Sequence, residues 1–346
     1  MTRSTAETLV TDWIAGVEES FSEAADDRVT EEIALAGAPV RLEFANTRMF
    51  DRLAPGFAHL VEPAAAPPEL TIRIWDSAGA IAEPPLPDVP PGPRGRIYYS
   101  EDGSVRVAYQ PGLNLFSVLD RARGLGWFWC SAAEALPYWE SSAPFRQLLH
   151  WWLPSRNMLL VHGAAVGRAD GGVLLVGRGG SGKSTSALAC LESDLLYAAD
   201  DYCALDDRAP AVHSLYCSGK LEPAHAARLH HLPEPTIDGD GSEDEKAVFF
   251  VQDRYPDRVC RSFPLRAVLA PNIAGDETRM VPLAGAVALR ALAPSTLLQL
   301  HPADPEAFAR MARLVNSVAA YSFELGPEIA AIPSAIERLL DELGPA

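Results

Sequence analysis

Residues 177–184 constrain this chain more than any other stretch: they read Gly-Arg-Gly-Gly-Ser-Gly-Lys-Ser and so satisfy G-x-x-x-x-G-K-[ST], the pattern of a loop that wraps phosphate. The pattern carries weight only where a strand enters the loop and a helix leaves it. Both flanks comply. Residues 173–176 are an apolar run short enough for a buried strand, and residues 184–192 place apolar side chains at helical spacing. A second short apolar run, 195–199, ends in Asp200 and Asp201. Strand, loop, helix and strand make a βαβ unit, which points to an α/β fold.

The residue types in this unit have chemical reasons. Gly177, Gly179, Gly180 and Gly182 let the backbone curl until successive N–H groups face one anion, with Arg178 and Ser181 between them. The following helix presents its positive end to the same anion. Lys183 is then placed to reach the β- and γ-phosphates of a nucleotide, Ser184 to complete the shell of a Mg2+ ion, and Thr185 to close the binding segment. ATP with Mg2+ is the expected cofactor pair. Asp200 and Asp201 stand at the C-terminal end of the next strand, where open α/β sheets hold their ligands. We expect Asp201 to bind the metal and Asp200 to act as the base, with interchange of the two left open. A glycine-rich loop capping a helix without a ligand, and a solvated acidic pair opening a turn, are the plain alternatives.

The rest of the chain divides around this unit. At 346 residues two domains are the natural prior, and the division expected is a smaller α+β N-terminal domain over residues 1–140, with an acceptor- or partner-binding role open to it, and a phosphate-loop domain over residues 141–346. In the first, residues 8–23 have helical spacing, 39–44 and 70–75 alternate as strands, and Asp102-Gly103 marks a hairpin between 96–99 and 105–109. The proline-rich stretch 83–93 predicts a linker or surface loop. In the second, we expect a helix over 143–152 packed against the segment C-terminal to it, strands over 158–166 and 173–176, a strand over 267–270, and helices over 303–319 and 332–343. Residues 233–245 are rich in proline and then in acid, a composition for a mobile loop.

Composition narrows the partners. A net charge of −17 repels polyanions, so nucleic acid is not an expected partner, whereas a nucleotide is met locally by backbone amides and one lysine. No apolar run approaches the ~20 residues that cross a bilayer, and the first residues lack the apolar core of an export signal, so no membrane association is expected. Cys130, Cys190, Cys203, Cys217 and Cys260 are scattered and odd in number, which fits reduced thiols and a cytoplasmic location. Lys220, Glu222 and Lys246 are candidates to line an acceptor site, against the usual reading of such residues as solvated surface. His225, His230 and His231 have a nominal metal-like spacing but lack the further ligands zinc requires. Trp127, Trp129, Trp151 and Trp152 read as core packing.

A single short helix separates Lys183 from Asp200, closer than in many phosphate-loop enzymes. With V-H-G-A-A-V at 161–166, G-R-G-G-S-G-K-S-T at 177–185 and A-A-D-D-Y at 198–202, the chain resembles the HPr kinase/phosphorylase group of bacterial serine kinases. The resemblance covers roughly residues 143–340. Through Y-C-S-G-K-L-E-P, P-L-R-A-V-L-A-P and A-L-A-P-S-T it is similar to the relatives associated with ribosomally made, lasso-type peptide clusters. It implies a P-loop, PEP-carboxykinase-like fold, a catalytic His162 beside the transferred phosphoryl group, a serine of a peptide or protein as acceptor, and assembly as a homo-oligomer. On its own, a histidine on an apolar strand is as readily a core residue. The glycine-rich signature that follows the aspartates in HPr kinases is missing, and with it go the grounds for expecting HPr as acceptor or the reverse reaction. The expected activity is thus an ATP-dependent serine kinase with catalytic residues Asp200, His162 and Lys183. A small-molecule hydroxyl as acceptor, an ATP-regulated peptide- or partner-binding module and a simple NTPase are the alternatives.

Overall fold

The computed structural model describes residues 3–24, 27–78, 83–89, 97–237, 246–273, 276–302 and 304–344, with side chains from residue 13 onward. The chain is α/β and forms two compact units, one from Met1–Pro55 with Leu60–Trp152, the other from Gly56–His59 with Leu153–Ala346.

The first unit is built on one sheet. Strands β1 (Val29–Leu35), β2 (Ala38–Phe44), β3 (Leu70–Asp76), β4 (Tyr98–Asp102), β5 (Val105–Gln110), β6 (Leu115–Asp120) and β7 (Leu125–Cys130) lie in the order β1-β2-β3-β7-β6-β5-β4. In β2 the side chains of Ala38, Val40, Leu42 and Phe44 are buried, while Arg41 and Glu43 alternate with them and are half-buried, the period-2 pattern of a strand with one covered face. β6 and β7 are buried at every position, so their sequences show no alternation. The hairpin at Asp102-Gly103 forms, with Asp102 paired to Val105, so its turn is Gly103-Ser104. Helices α1 (Arg3–Glu23), α2 (Thr47–Leu53), α3 (Tyr138–Ser142) and α4 (Arg146–Trp152) complete the unit. Val17 and Phe21 of α1 join Trp75, Phe116, Trp127 and Trp129 in one core cluster. The helix expected over 143–152 is α4, and it packs on β6, which precedes it. Of the proline-rich stretch, residues 83–89 carry neither helix nor strand, and the rest lies outside the described residues.

The second unit holds strands β8 (Met158–His162), β9 (Ala164–Arg168), β10 (Gly171–Leu175), β11 (Leu196–Ala199), β12 (Tyr202–Asp206), β13 (Ala211–Ser214), β14 (Ser218–Leu221), β15 (Ala247–Phe250), β16 (Ser262–Ile273), β17 (Arg279–Pro282) and β18 (Ala319–Leu325). Nine of them form a sheet in the order β11-β9-β10-β16-β13-β12-β8, with β18 also paired to β16 and β17 paired to β18, while β14 pairs with β15. The single apolar run 158–166 breaks at Gly163, so β8 pairs with β12 while β9 pairs with β10 and β11. A side chain at Gly163 would meet Leu175 O at 3.0 Å and Leu174 at 3.1 Å, so the chain crosses there without one. The βαβ unit read from the sequence also acquires a guest: β9 sits between β10 and β11, antiparallel to both.

Helices α5 (Lys183–Ala189), α6 (Pro223–Ala226), α7 (Val251–Arg254), α8 (Gly285–Leu297), α9 (Ala307–Ser317) and α10 (Ala331–Leu343) complete the second unit. Leu188 of α5 and Ile336 and Leu339 of α10 pack into one core with Val173 and Leu175. Leu292 of α8 and Met311 and Leu314 of α9 pack into another with Leu174 and Val176. Successive strand residues of β10 therefore feed alternate cores, which fixes β10 as a central strand with its exit loop between the two layers. Residues 238–245 of the expected acidic loop lie outside the described residues. Among the described residues no helix is long and apolar enough to cross a membrane.

Candidate active site: a phosphate loop facing two unequal carboxylates

The loop leaves β10 while still tied to β16, Val176 N donating to Leu269 O at 2.8 Å. It turns through left-handed backbone at Gly177 (φ 150°), Gly180 (φ 74°) and Gly182 (φ 102°). Gly182 is doubly constrained, because a side chain there would also come within 2.5 Å of Leu325 Cδ1. Gly182 caps α5, and Lys183 is the first residue of that helix. Only 7% of Lys183 is exposed, and its Nζ donates to Gly177 O (2.7 Å) and Arg178 O (3.1 Å). The ammonium is thus folded back on the loop's own carbonyls. Burial lowers its pKa, and the carboxylates of Asp200 and Asp201 oppose that shift. Ser181 Oγ is buried without a hydrogen-bond partner, while Ser184 and Thr185 stand half-buried at the start of the helix.

Asp200 and Asp201 connect β11, at one end of the strand order, to β12, next to the strand at its other end. Asp201 has φ 82°, a conformation that costs a residue with a side chain roughly 1–3 kcal/mol and is held here by Gly163 N donating to Asp201 O at 2.9 Å. That kink sends the two carboxylates into different surroundings. Asp200 is 2% exposed, its Oδ2 accepts from Lys220 N at 2.9 Å, and its Oδ1 has no partner. Burial and then the neighbouring Asp201 charge push its pKa up, against the pull of the Lys220 amide and the Ser184 hydroxyl. For Asp201, burial also pushes upward, but the Lys220 ammonium and the His162 ring outweigh it and hold the carboxyl well below its ordinary range. His162 Nε2 lies 2.9 Å from Asp201 Oδ1, and Lys220 Nζ donates to Asp201 Oδ2.

His162 ends β8 opposite Tyr202, the first residue of β12. Thr296 of α8 accepts from its backbone N–H at 3.2 Å, and the Tyr202 ring packs edge-on with centroids 5.4 Å apart. Its Nδ1 is buried and unpartnered.

These groups share a cleft of about 500 Å³ lined by Gly179, Gly180, Ser181, Gly182, Lys183, Ser184 and Thr185, by His162, Asp200, Asp201 and Lys220, and by an apolar end that includes Leu325, Ile329 and Ile332. The structure therefore brings the expected site residues together; Gly177 and Arg178 supply the carbonyls that hold Lys183. Glu222 and Lys246 also line the cleft, as does Arg228, for which the sequence offers no local signal. Lys220 is far from the solvated surface residue its type suggests: it is 8% exposed and bonds both carboxylates, one through its amide and one through its ammonium. The sequence marks Lys220 as a candidate for the acceptor side of the site, through the stretch Y-C-S-G-K-L-E-P, and gives no sign of its contact with the aspartates. His231 faces elsewhere, with Nε2 against Leu188 O at 2.9 Å.

Among the described residues no group of three or more His, Cys, Asp or Glu could hold a metal ion by itself. A magnesium ion asks for less, one or two carboxylates beside a hydroxyl and the phosphates of a nucleotide. Asp200, with its Oδ1 unpartnered and the Ser184 hydroxyl beside its carboxyl, meets that requirement.

No family model matches the sequence, and no curated protein matches it. Among solved structures, the Hpr(Ser) kinase/phosphatase from Coxiella burnetii aligns with a TM-score of 0.27 at 13% sequence identity, over 54% of this chain and 99% of that one. At such values the chemistry of the cleft has to be read from its own residues.

Proposed function

We propose that the cleft binds MgATP and transfers the γ-phosphoryl group to a hydroxyl, the acceptor being a serine of a peptide or protein. The observation that carries this reading is the buried, half-satisfied Asp200 standing with Asp201 in the same cleft as a phosphate-loop lysine. A carboxylate buried one hydrogen bond short is costly unless a ligand completes it.

The loop amides and Lys183 would hold the β- and γ-phosphates, Lys183 exchanging the carbonyls of Gly177 and Arg178 for phosphate oxygens. Asp200 and Ser184 would hold Mg2+, which when bound neutralises charge on the phosphate oxygens. This exchanges the two aspartate roles expected from the sequence. The reason is that Asp201 has both oxygens engaged, while Asp200 alone has one to offer. Asp201, held ionised by Lys220 and oriented by His162, accepts the hydroxyl proton as the serine oxygen bonds to the γ-phosphorus and the bond from that phosphorus to the bridging oxygen of ADP breaks. A loose phosphoryl-transfer transition state asks little basicity of that group and much positioning. His162, beside Asp201 Oδ1, stands where it can share the proton or the developing charge.

The test is Lys183→Ala in the full chain, with γ-labelled ATP and candidate peptides followed by mass spectrometry. We expect transfer to fall by about 10²–10³-fold while the variant stays folded. A folded Lys183→Ala protein with full transfer activity would sink the proposal, and ATP turnover in the wild type with no phosphopeptide would identify a simple NTPase instead.

A further inference from the structure

A second groove, of about 740 Å³, runs from the first half of the phosphate loop to helix α8 and shares Gly179, Gly180, Ser181 and Ile273 with the cleft already described. Its character differs from the rest of the surface in two ways. Five large hydrophobic side chains are exposed among the described residues, and three of them, Ile273 (66%), Val287 (40%) and Leu298 (79%), line this groove. Its charged lining is Arg178 and Arg290 alone, with no carboxylate, in a chain of net charge −17. Both arginines are exposed, and neither is ion-paired among the described residues. An apolar floor with unspent guanidinium groups is complementary to a ligand that is apolar and anionic at once.

The nucleoside is not that ligand. The residues after the loop lysine, Ser184 and Thr185, line the first cleft and not the groove, and the apolar side chains of Leu325, Ile329 and Ile332 line that same cleft. A nucleotide whose phosphates follow the loop toward α5 therefore carries its base into the first cleft. The groove is left facing the opposite flank of the same loop.

Resting on the kinase reading, we infer that this groove seats the stretch of the acceptor polypeptide that flanks the phosphorylated serine, and that this stretch carries apolar side chains and carboxylates. The shared loop crest sets the seated chain next to the phosphate site, and the arginines select against the basic sequences that the net charge would otherwise attract.

The probes are fluorescein-labelled 12-residue peptides with one serine flanked by leucine and glutamate, a second with lysine for glutamate, and a third with glycine for leucine. Each is titrated against the full chain by anisotropy and assayed with γ-labelled ATP. The Leu/Glu peptide is expected to bind and the other two to bind about tenfold or more weakly, a difference of about 1.4 kcal/mol. Arg290→Glu and Leu298→Asp, both on exposed side chains, should each weaken the Leu/Glu peptide by a similar factor and leave ATP affinity unchanged. Arg290→Glu should in turn favour the lysine peptide. The inference is overturned if no peptide saturates, if binding ignores both substitutions, or if the substitutions weaken ATP instead. Peptide binding that follows this pattern without phosphate reaching the serine keeps the groove and refutes the kinase. Phosphate transfer whose peptide KM ignores both substitutions keeps the kinase and refutes the groove.

Discussion

Asp76 in the first unit and Asp200 in the second are equally withdrawn from water, at 0% and 2% exposure, yet they are differently furnished. Asp76 Oδ1 accepts from Asn46 Nδ2 at 3.0 Å and from Arg48 Nη2 at 3.3 Å, and its Oδ2 accepts from Ala133 N at 3.1 Å. It ties the end of β3 to the start of α2, where Asn46 also caps the helix by accepting from Met49 N at 2.9 Å. Asp200 has one backbone donor and an idle oxygen. Burial alone therefore does not mark a functional carboxylate. Burial with unfilled hydrogen-bonding capacity, beside a second carboxylate already neutralised by its own lysine, does.

The largest effect that could break this contrast is on chemistry. Asp200→Asn keeps an acceptor for Lys220 N and removes the charge, so phosphoryl transfer should drop by about 10²–10³-fold with no fall in the thermal midpoint. Scanning fluorimetry beside the transfer assay reads both, and a large loss of stability would make Asp200 a structural residue like Asp76. Asp76→Ala is the mirror image. It strands Asn46, Arg48 and a buried amide, so unfolding in urea should show a loss of about 3 kcal/mol, while kcat of the folded fraction holds. Loss of turnover at undiminished stability would erase the distinction.

The smallest effect is electrostatic. Asp201 has a folded pKa well below its ordinary 3.8, so around and below that pH the native state binds fewer protons than the unfolded chain. Its contribution to stability is complete above that value and drains away as pH falls toward the folded pKa. Asp201→Asn also tolerates the left-handed backbone. In that variant the acid limb of stability, from about pH 5 down to about pH 3, should be shallower than in the wild type. An unchanged slope would mean that Lys220 and His162 do not hold Asp201 as the geometry suggests.

Legibility in the sequence followed the range of the interactions involved. β2 and β3 of the first unit lie over the stretches 39–44 and 70–75, because alternation is written in each strand by itself. β6 and β7 escaped, since strands covered on both faces have no period to read. Helix α8 escaped as well, for it carries Pro294 within its span and that residue argues locally against helix. Residues 158–166 read as one strand because His162 alone interrupts their apolar and small residues. The break at Gly163 depends on Leu174 and Leu175 pressing from β10.

By itself the sequence determined the phosphate loop, the strand that enters it, the helix that leaves it and the nearness of an acidic pair. These rest on backbone angles available to glycine, on amides adjacent along the chain and on a helix too short to carry the aspartates far. Tertiary structure alone decided that the two aspartates differ, that Lys220 arrives from a separate small sheet to engage both, and that the loop has a second, arginine-flanked side against α8. Solvation and hydrogen-bond supply are properties of whatever the rest of the chain brings to a point in space, and no local pattern of residues records them.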